Sequence, residues 1–167
     1  MSLKITKDNT SQVLSAIQEM AGKHVVIGIP SEKAERRDSE FTNAQIGYVQ
    51  EFGSPINNIP SRPFLNPGVE QASEKCADVL GKFAKNAFYD KAAIDKGLNA
   101  AGLIAVASVK KRITTSEGFA PLSAKTLAER RQAGFKGTKP LIRTGQLLNS
   151  ITYIVRKNKA RQMKKWR

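Results

Sequence analysis

An α+β domain is the fold this sequence predicts: a small, mostly antiparallel sheet packed against several helices, two of them long, with a basic carboxyl-terminal tail. Three observations carry that expectation. Two β-branched runs, His24-Val25-Val26-Ile27-Gly28-Ile29 and Ile151-Thr152-Tyr153-Ile154-Val155, read as strands at opposite ends of the chain. Between them, apolar residues recur at intervals of three and four over 79–88 and again over 94–113, which is helical spacing. The charge is one-sided: residues 1–129 hold 16 Lys and Arg against 14 acidic residues, whereas residues 130–167 hold 12 and no acid. A chain of 167 residues has the length of one domain with a real core. That domain is expected over residues 1–155, with 156–167 as the tail.

Taken in order, Leu3-Lys4-Ile5-Thr6 alternates apolar and polar and predicts a short strand, with Asp8-Asn9 capping the helix that follows. Val13, Leu14, Ile17, Met20 and Ala21 form the apolar stripe of that helix, and Gly22 stops it. The run 24–29, closed by Pro30, is apolar on both alternating faces and so predicts a strand with a layer above and below. Residues 31–41 mix charges without an apolar period and predict an exposed, mobile loop. Thr42 or Asn43 caps a second helix through Ala44, Ile46, Tyr48, Val49 and Phe52, ended by Gly53 and Pro55.

The segment 54–67 is punctuated by proline. Each proline fixes its own φ and turns the preceding residue away from helix, so 59–67 is expected to be stiff, extended and non-helical. It presents Arg62, Pro63, Phe64 and Leu65, and burying Phe64 or Leu65 stabilises by about 1.5–3 kcal/mol each. Two surfaces can receive them: the chain's own core or a neighbouring subunit. The two stripes that follow predict two long helices, or one interrupted near Tyr89-Asp90. Gly97 and Gly102 inside them call for close packing against another backbone. A polar break at 114–119 precedes a short basic helix through Leu127 to Arg131, ended by Gly134. Residues 134–140 are expected to be flexible and cationic, 141–150 a turn and a helical piece capped by Thr144, and 151–155 the second strand.

The residue inventory argues against an enzyme, and no catalytic residue, cofactor or metal ligand is assigned. The glycine and lysine loop at 134–139 lacks the spacing of a phosphate-binding loop and follows a helix instead of a strand. His24 stands alone in an apolar run without a nucleophile motif. Cys76 is the single cysteine, which excludes an internal disulfide and a cysteine-cluster metal site, and predicts a small buried hydrophobe. Asp38, Glu40 and Glu51 can be grouped as a metal-binding carboxylate set, but the first two sit among Lys and Arg and read as a solvated loop. No uninterrupted apolar run approaches a membrane span, and the amino terminus lacks a secretory apolar stretch, so residence in a cytoplasm is expected. The tail cations Arg156, Lys157, Lys159, Arg161, Lys164, Lys165 and Arg167 are candidates for contact with DNA or another polyanion, which would not read sequence.

Three stretches together resemble a known family. Residues 44–53, ending in Glu51-Phe52-Gly53, followed by Ile59-Pro60-Ser61-Arg62-Pro63-Phe64-Leu65, resemble the paired "EFG" and "IPxRPFL" signature of tailed-bacteriophage tail-completion and neck proteins, the virion morphogenesis or minor tail protein group. Residues 140–153, containing Thr144-Gly145 and Ser150-Ile151, are similar to that group's "PLxxTGxLxxSI" stretch. The resemblance implies a non-enzymatic structural protein of the virion neck or tail, present in the host cytoplasm during assembly. It would act in tail completion and head-tail joining as a homo-oligomeric ring, a hexamer by family likeness. It also implies head-connector and tail-tube or tail-terminator proteins as partners, with non-specific contact to genomic DNA and none to membrane. Phe52, Arg62, Pro63, Phe64, Leu65, Thr144 and Gly145 are the subunit-contact candidates on the matching motifs. The alternative from charge alone is a basic nucleic-acid-binding accessory protein.

Overall fold

The computed structural model describes residues 10–36, 38–90 and 92–158. Its elements run α1 (Thr10–Ala21), β1 (Lys23–Gly28), α2 (Asn43–Phe52), α3 (Leu65–Asn86), α4 (Ala92–Thr115), α5 (Ala124–Gln132), α6 (Gln146–Ser150) and β2 (Thr152–Lys157). The α+β class expected from the sequence is the class observed. The strand expected at 3–6 and the cations Lys159, Arg161, Lys164, Lys165 and Arg167 lie outside the described residues.

β1 and β2 pair antiparallel, with Val25 opposite Val155 and Ile27 opposite Tyr153. A two-stranded ribbon is marginal by itself and needs a helix beneath it. α4 provides that support: Val25 and Val155 pack against the buried group Ala87, Ala93, Ile94 and Leu98, and Tyr153 lies over Gly102. A Cβ on Gly102 would come within 2.3 Å of the Tyr153 ring, and one on Gly97 within 2.7 Å of Phe83 Cβ. Both glycines sit at close approaches, but the neighbours are the Phe83 and Tyr153 side chains and not the backbone the sequence suggested. The outer face of the ribbon carries His24, Val26, Ile154 and Arg156 and is exposed, so β1 is not covered on both faces as its composition suggested. A two-stranded ribbon has only one helical layer to lean on.

α3 lies along α4, and Gly68 lets the two backbones meet at Val109. The main core, Phe64, Val109, Ile113, Leu141, Leu147 and Ile151, joins the proline segment, α4, α6 and the entry to β2. α4 is long and apolar enough to cross a bilayer by length and composition. It buries nine residues, from Ala93 to Ile113, against α3, β1 and β2, as a core helix does.

Several local expectations are revised. The segment 54–67 is not extended throughout. A 3-10 turn at Pro55–Asn57 is closed by a bridge between Ser54 and Ile59, and Asn58 takes a left-handed φ of 51°. Leu65 already opens α3, and Pro67 fits because the first turn of a helix does not use its N–H. The loop 31–41 is exposed but anchored. Asn43, buried beside it, donates through Nδ2 to the carbonyls of Lys33 and Glu35 and accepts from Arg36. The tail does not begin at 156, because Arg156 and Lys157 are strand residues opposite His24 and Lys23. Thr144 does not cap α6; Gly145, at φ 78°, holds that position. Among the described side chains of α1 only Ala16 is buried, and Val13, Leu14 and Ile17 of its apolar stripe are exposed.

Candidate functional site

α2 begins with a reciprocal cap. Thr42 Oγ1 accepts from the Gln45 N–H at 3.2 Å, and Gln45 Oε1 accepts from the Thr42 N–H at 2.9 Å. From there the helix divides into two faces. Asn43, Gly47 and Glu51, four residues apart, point inward and are buried. Ala44, Tyr48 and Phe52 lie on the other side, with Phe41, just ahead of the Thr42 cap, beside Ala44 and Tyr48. Phe41, Tyr48 and Phe52 are 65%, 67% and 60% exposed, and the Tyr48 and Phe52 rings stand 4.9 Å apart.

The inward face explains the paired motifs. Glu51 is a carboxylate only 6% exposed. It accepts from the backbone N–H groups of Phe64 at 2.7 Å, Leu65 at 2.8 Å and Asn66 at 2.9 Å. Those are the orphan donors at the start of α3, so a side chain from α2 caps the next helix. Gly53 makes the chain reversal between them: its φ is +80°, and a Cβ there would meet the Ser61 nitrogen at 2.9 Å. Arg62, 5% exposed, donates through Nε to the Ala120 carbonyl at 2.7 Å, through Nη2 to that of Pro121 at 3.0 Å, and through Nη1 to Gln50 Oε1 at 3.1 Å. Burial pushes its guanidinium below its ordinary value. Arg112 Nε donates to the Pro63 carbonyl at 2.8 Å, and its guanidinium lies 5.6 Å from the Phe119 ring centre.

Arg130 performs the same kind of task for the third motif. It is buried at the end of α5. Nη1 donates to the carbonyls of Gly137, Lys139 and Ile142 and Nη2 to that of Pro140, at 2.8–3.2 Å. Burial first, and then the charges of Arg143 and Arg62, lower its pKa. The loop 134–140 is thus wrapped around a guanidinium and is not the flexible cationic stretch the composition suggested. Lys139 Nζ also donates to the Thr114 carbonyl, and Arg143 stacks 4.8 Å over Phe135.

All three motif stretches converge on α2. Gly47, Tyr48, Glu51 and Phe52 share a depression of about 200 Å3 with Phe64, Leu65 and Ile151. A second hollow joins Ile46 and Gln50 to Arg130, Thr144 and Gly145. Of the subunit-contact candidates, Phe52 and Thr144 are exposed, whereas Pro63, Leu65 and Gly145 are half-buried. Arg62 and Phe64 are corrected. Their side chains are consumed inside their own chain, Arg62 by carbonyls and Phe64, 2% exposed, by the core. Neither offers a surface. Tyr48 joins Phe52 on the outer face, with Phe41 ahead of the cap, and the spacings of seven and four residues already encoded the grouping.

The carboxylates grouped on paper do not converge. Asp38 is held by Arg36 at 3.0 and 3.1 Å, which lowers its pKa, and Glu51 is the cap of α3. Among the described residues no group of three or more His, Cys, Asp or Glu side chains is arranged to hold a metal ion. His24 lies exposed on the outer face of the ribbon, beside Asn158 Oδ1. Comparison of the chain with protein-family models, curated proteins and solved structures returns no match.

Proposed function

We propose that this chain is a non-enzymatic structural subunit of the neck or tail end of a tailed-bacteriophage virion, acting in tail completion and head-tail joining as a ring-forming oligomer. The ordered set of three motifs supports this reading, and the observation that carries it is the outer face of α2. Two large aromatic side chains, Tyr48 and Phe52, stand out of one helix whose other face is locked into the core, and a third, Phe41, is exposed just ahead of its cap. Clustered exposed aromatics are costly in water and mark a surface that is covered in an assembly. The position is also held rigidly, by the Thr42 cap at one end and the Glu51 and Gly53 junction at the other, so little ordering is needed when a neighbour docks.

Mass measurement over a concentration series, with and without head-connector and tail partners, tests this. The wild-type chain is expected to form a closed oligomer. Tyr48→Ala with Phe52→Ala is expected to remain a folded monomer, with unchanged circular dichroism and melting. A strict monomer that ignores every virion partner overturns the proposal. The cationic excess of residues 130–167 favours a second reading, a basic nucleic-acid-binding accessory protein. Tight DNA binding by that monomer, with affinity falling steeply as salt rises, is its signature.

A further inference from the structure

The hollow that joins α2 to Arg130 and the Thr144-Gly145 turn measures about 180 Å3, and three guanidiniums line it, those of Arg36, Arg130 and Arg143. Arg36 is paired with Asp38, which the Gln146 side chain also approaches. Arg130 and Arg143 have no ion-pair partner among the described residues. Gathering like charges is unfavourable, and the charges of Arg143 and Arg62 add to burial in lowering the Arg130 pKa. An anion in the hollow offsets that cost. Unspent donors line the same space. Arg143 lies over the Phe135 ring and makes no hydrogen bond to a described residue. The Thr144 hydroxyl makes none either. Gln50 accepts from Arg62 through Oε1, so its NH2 group is left to donate. Gly145, at φ 78°, turns the chain between Thr144 and Gln146, and both line the hollow.

We propose that this hollow binds a dianionic phosphate, either free or as the terminal monoester of a nucleic acid. The donors belong to two elements, Gln50 to α2 and Arg143 and Thr144 to the turn before α6, and a tetrahedral oxyanion accepts from several directions at once. A carboxylate presents its oxygens in one plane. Charge argues the same way: Arg130 and Arg143 are the lining cations without a carboxylate, and a phosphate monoester brings about two negative charges. Arg130 spends its Nη groups on carbonyls, and Arg36 donates to Asp38 and Asn43, so these two act through their field. Arg143 is the guanidinium that touches the ligand. The assignment gives the third motif a task of its own, and it holds for a monomer and for a ring alike.

Isothermal titration calorimetry of the full chain with sodium phosphate, at neutral pH and fixed ionic strength, reads the site. Saturable binding of a single phosphate is expected, about tenfold weaker in Arg143→Gln and unchanged in Lys82→Gln, which removes the same charge from an exposed position on α3. Thr144→Val removes the hydroxyl without changing the charge and is expected to weaken binding about threefold; it decides the matter if Arg143→Gln alters the circular dichroism. No saturable binding up to about 10 mM phosphate, equal weakening by Lys82→Gln, or wild-type affinity in both Arg143→Gln and Thr144→Val overturns the proposal. A short single-stranded oligonucleotide, with and without a 5′-phosphate, then separates the two sources. Tighter binding of the phosphorylated strand, lost in Arg143→Gln, assigns the end of a nucleic acid, and equal binding of the two strands assigns free phosphate. Once phosphate itself binds saturably, either result supports the site.

Discussion

Replacing Glu51 by alanine removes the acceptor for three backbone donors at once. The Phe64 N–H is fully buried and cannot be rescued by water, and leaving it unpaired costs about 1–3 kcal/mol. The Leu65 and Asn66 donors are part-buried, so water recovers some of what they lose. With the favourable interaction between a carboxylate and a helix amino terminus added, the loss comes to about 3–5 kcal/mol. A domain of ordinary stability has about 5–15 kcal/mol in total. With a urea slope of about 2 kcal/mol/M, the unfolding midpoint should fall by about 1.5–2.5 M. Glu51→Gln keeps one carbonyl oxygen but aims an NH2 group at the remaining donor, and should lose about 1–2 kcal/mol. Hydrogen exchange should accelerate first in the opening turn of α3. A midpoint for Glu51→Ala within about 0.3 M of wild type would refute the assignment of Glu51 as the cap of α3.

Phe64→Ala empties a core position and should destabilise by about 3–5 kcal/mol, seen as loss of the folded monomer before any question of assembly arises. Gly102→Ala must displace the Tyr153 ring and should cost about 1–3 kcal/mol in thermal melts. Gly81→Ala, in the same kind of helix but with open space around its Cβ, should instead stabilise by about 0.5–1 kcal/mol. Asp90 is held below its ordinary pKa by the Ala92 N–H, and then by Lys96. A depressed carboxylate contributes above its unfolded pKa and loses that contribution as pH falls through its folded value. The stability gap between wild type and Asp90→Asn should therefore be present at neutral pH and close below about pH 4 in denaturant titrations.

The sequence by itself determined the identity and order of the main elements. The β-branched runs became β1 and β2, the two stripes became α3 and α4, and Gly97 and Gly102 marked the close approaches. These are local or periodic signals, carried by residue types that fit one backbone geometry. It also set out the three motif stretches without saying what each residue in them does. Only the tertiary structure decided that Glu51, a charge fourteen residues from Leu65, caps α3, because an acceptor can serve any donor that folding brings within 3 Å. The same holds for Arg62 and Arg130. In sequence each is one cation among many, and in the fold each is a buried fork that gathers carbonyls from a loop with no regular structure of its own. Phe64 and Phe52 are equally apolar in the sequence, yet folding sends one into the core and leaves the other on the surface. Which side of the molecule a residue faces depends on partners distant along the chain, and no local pattern specifies them.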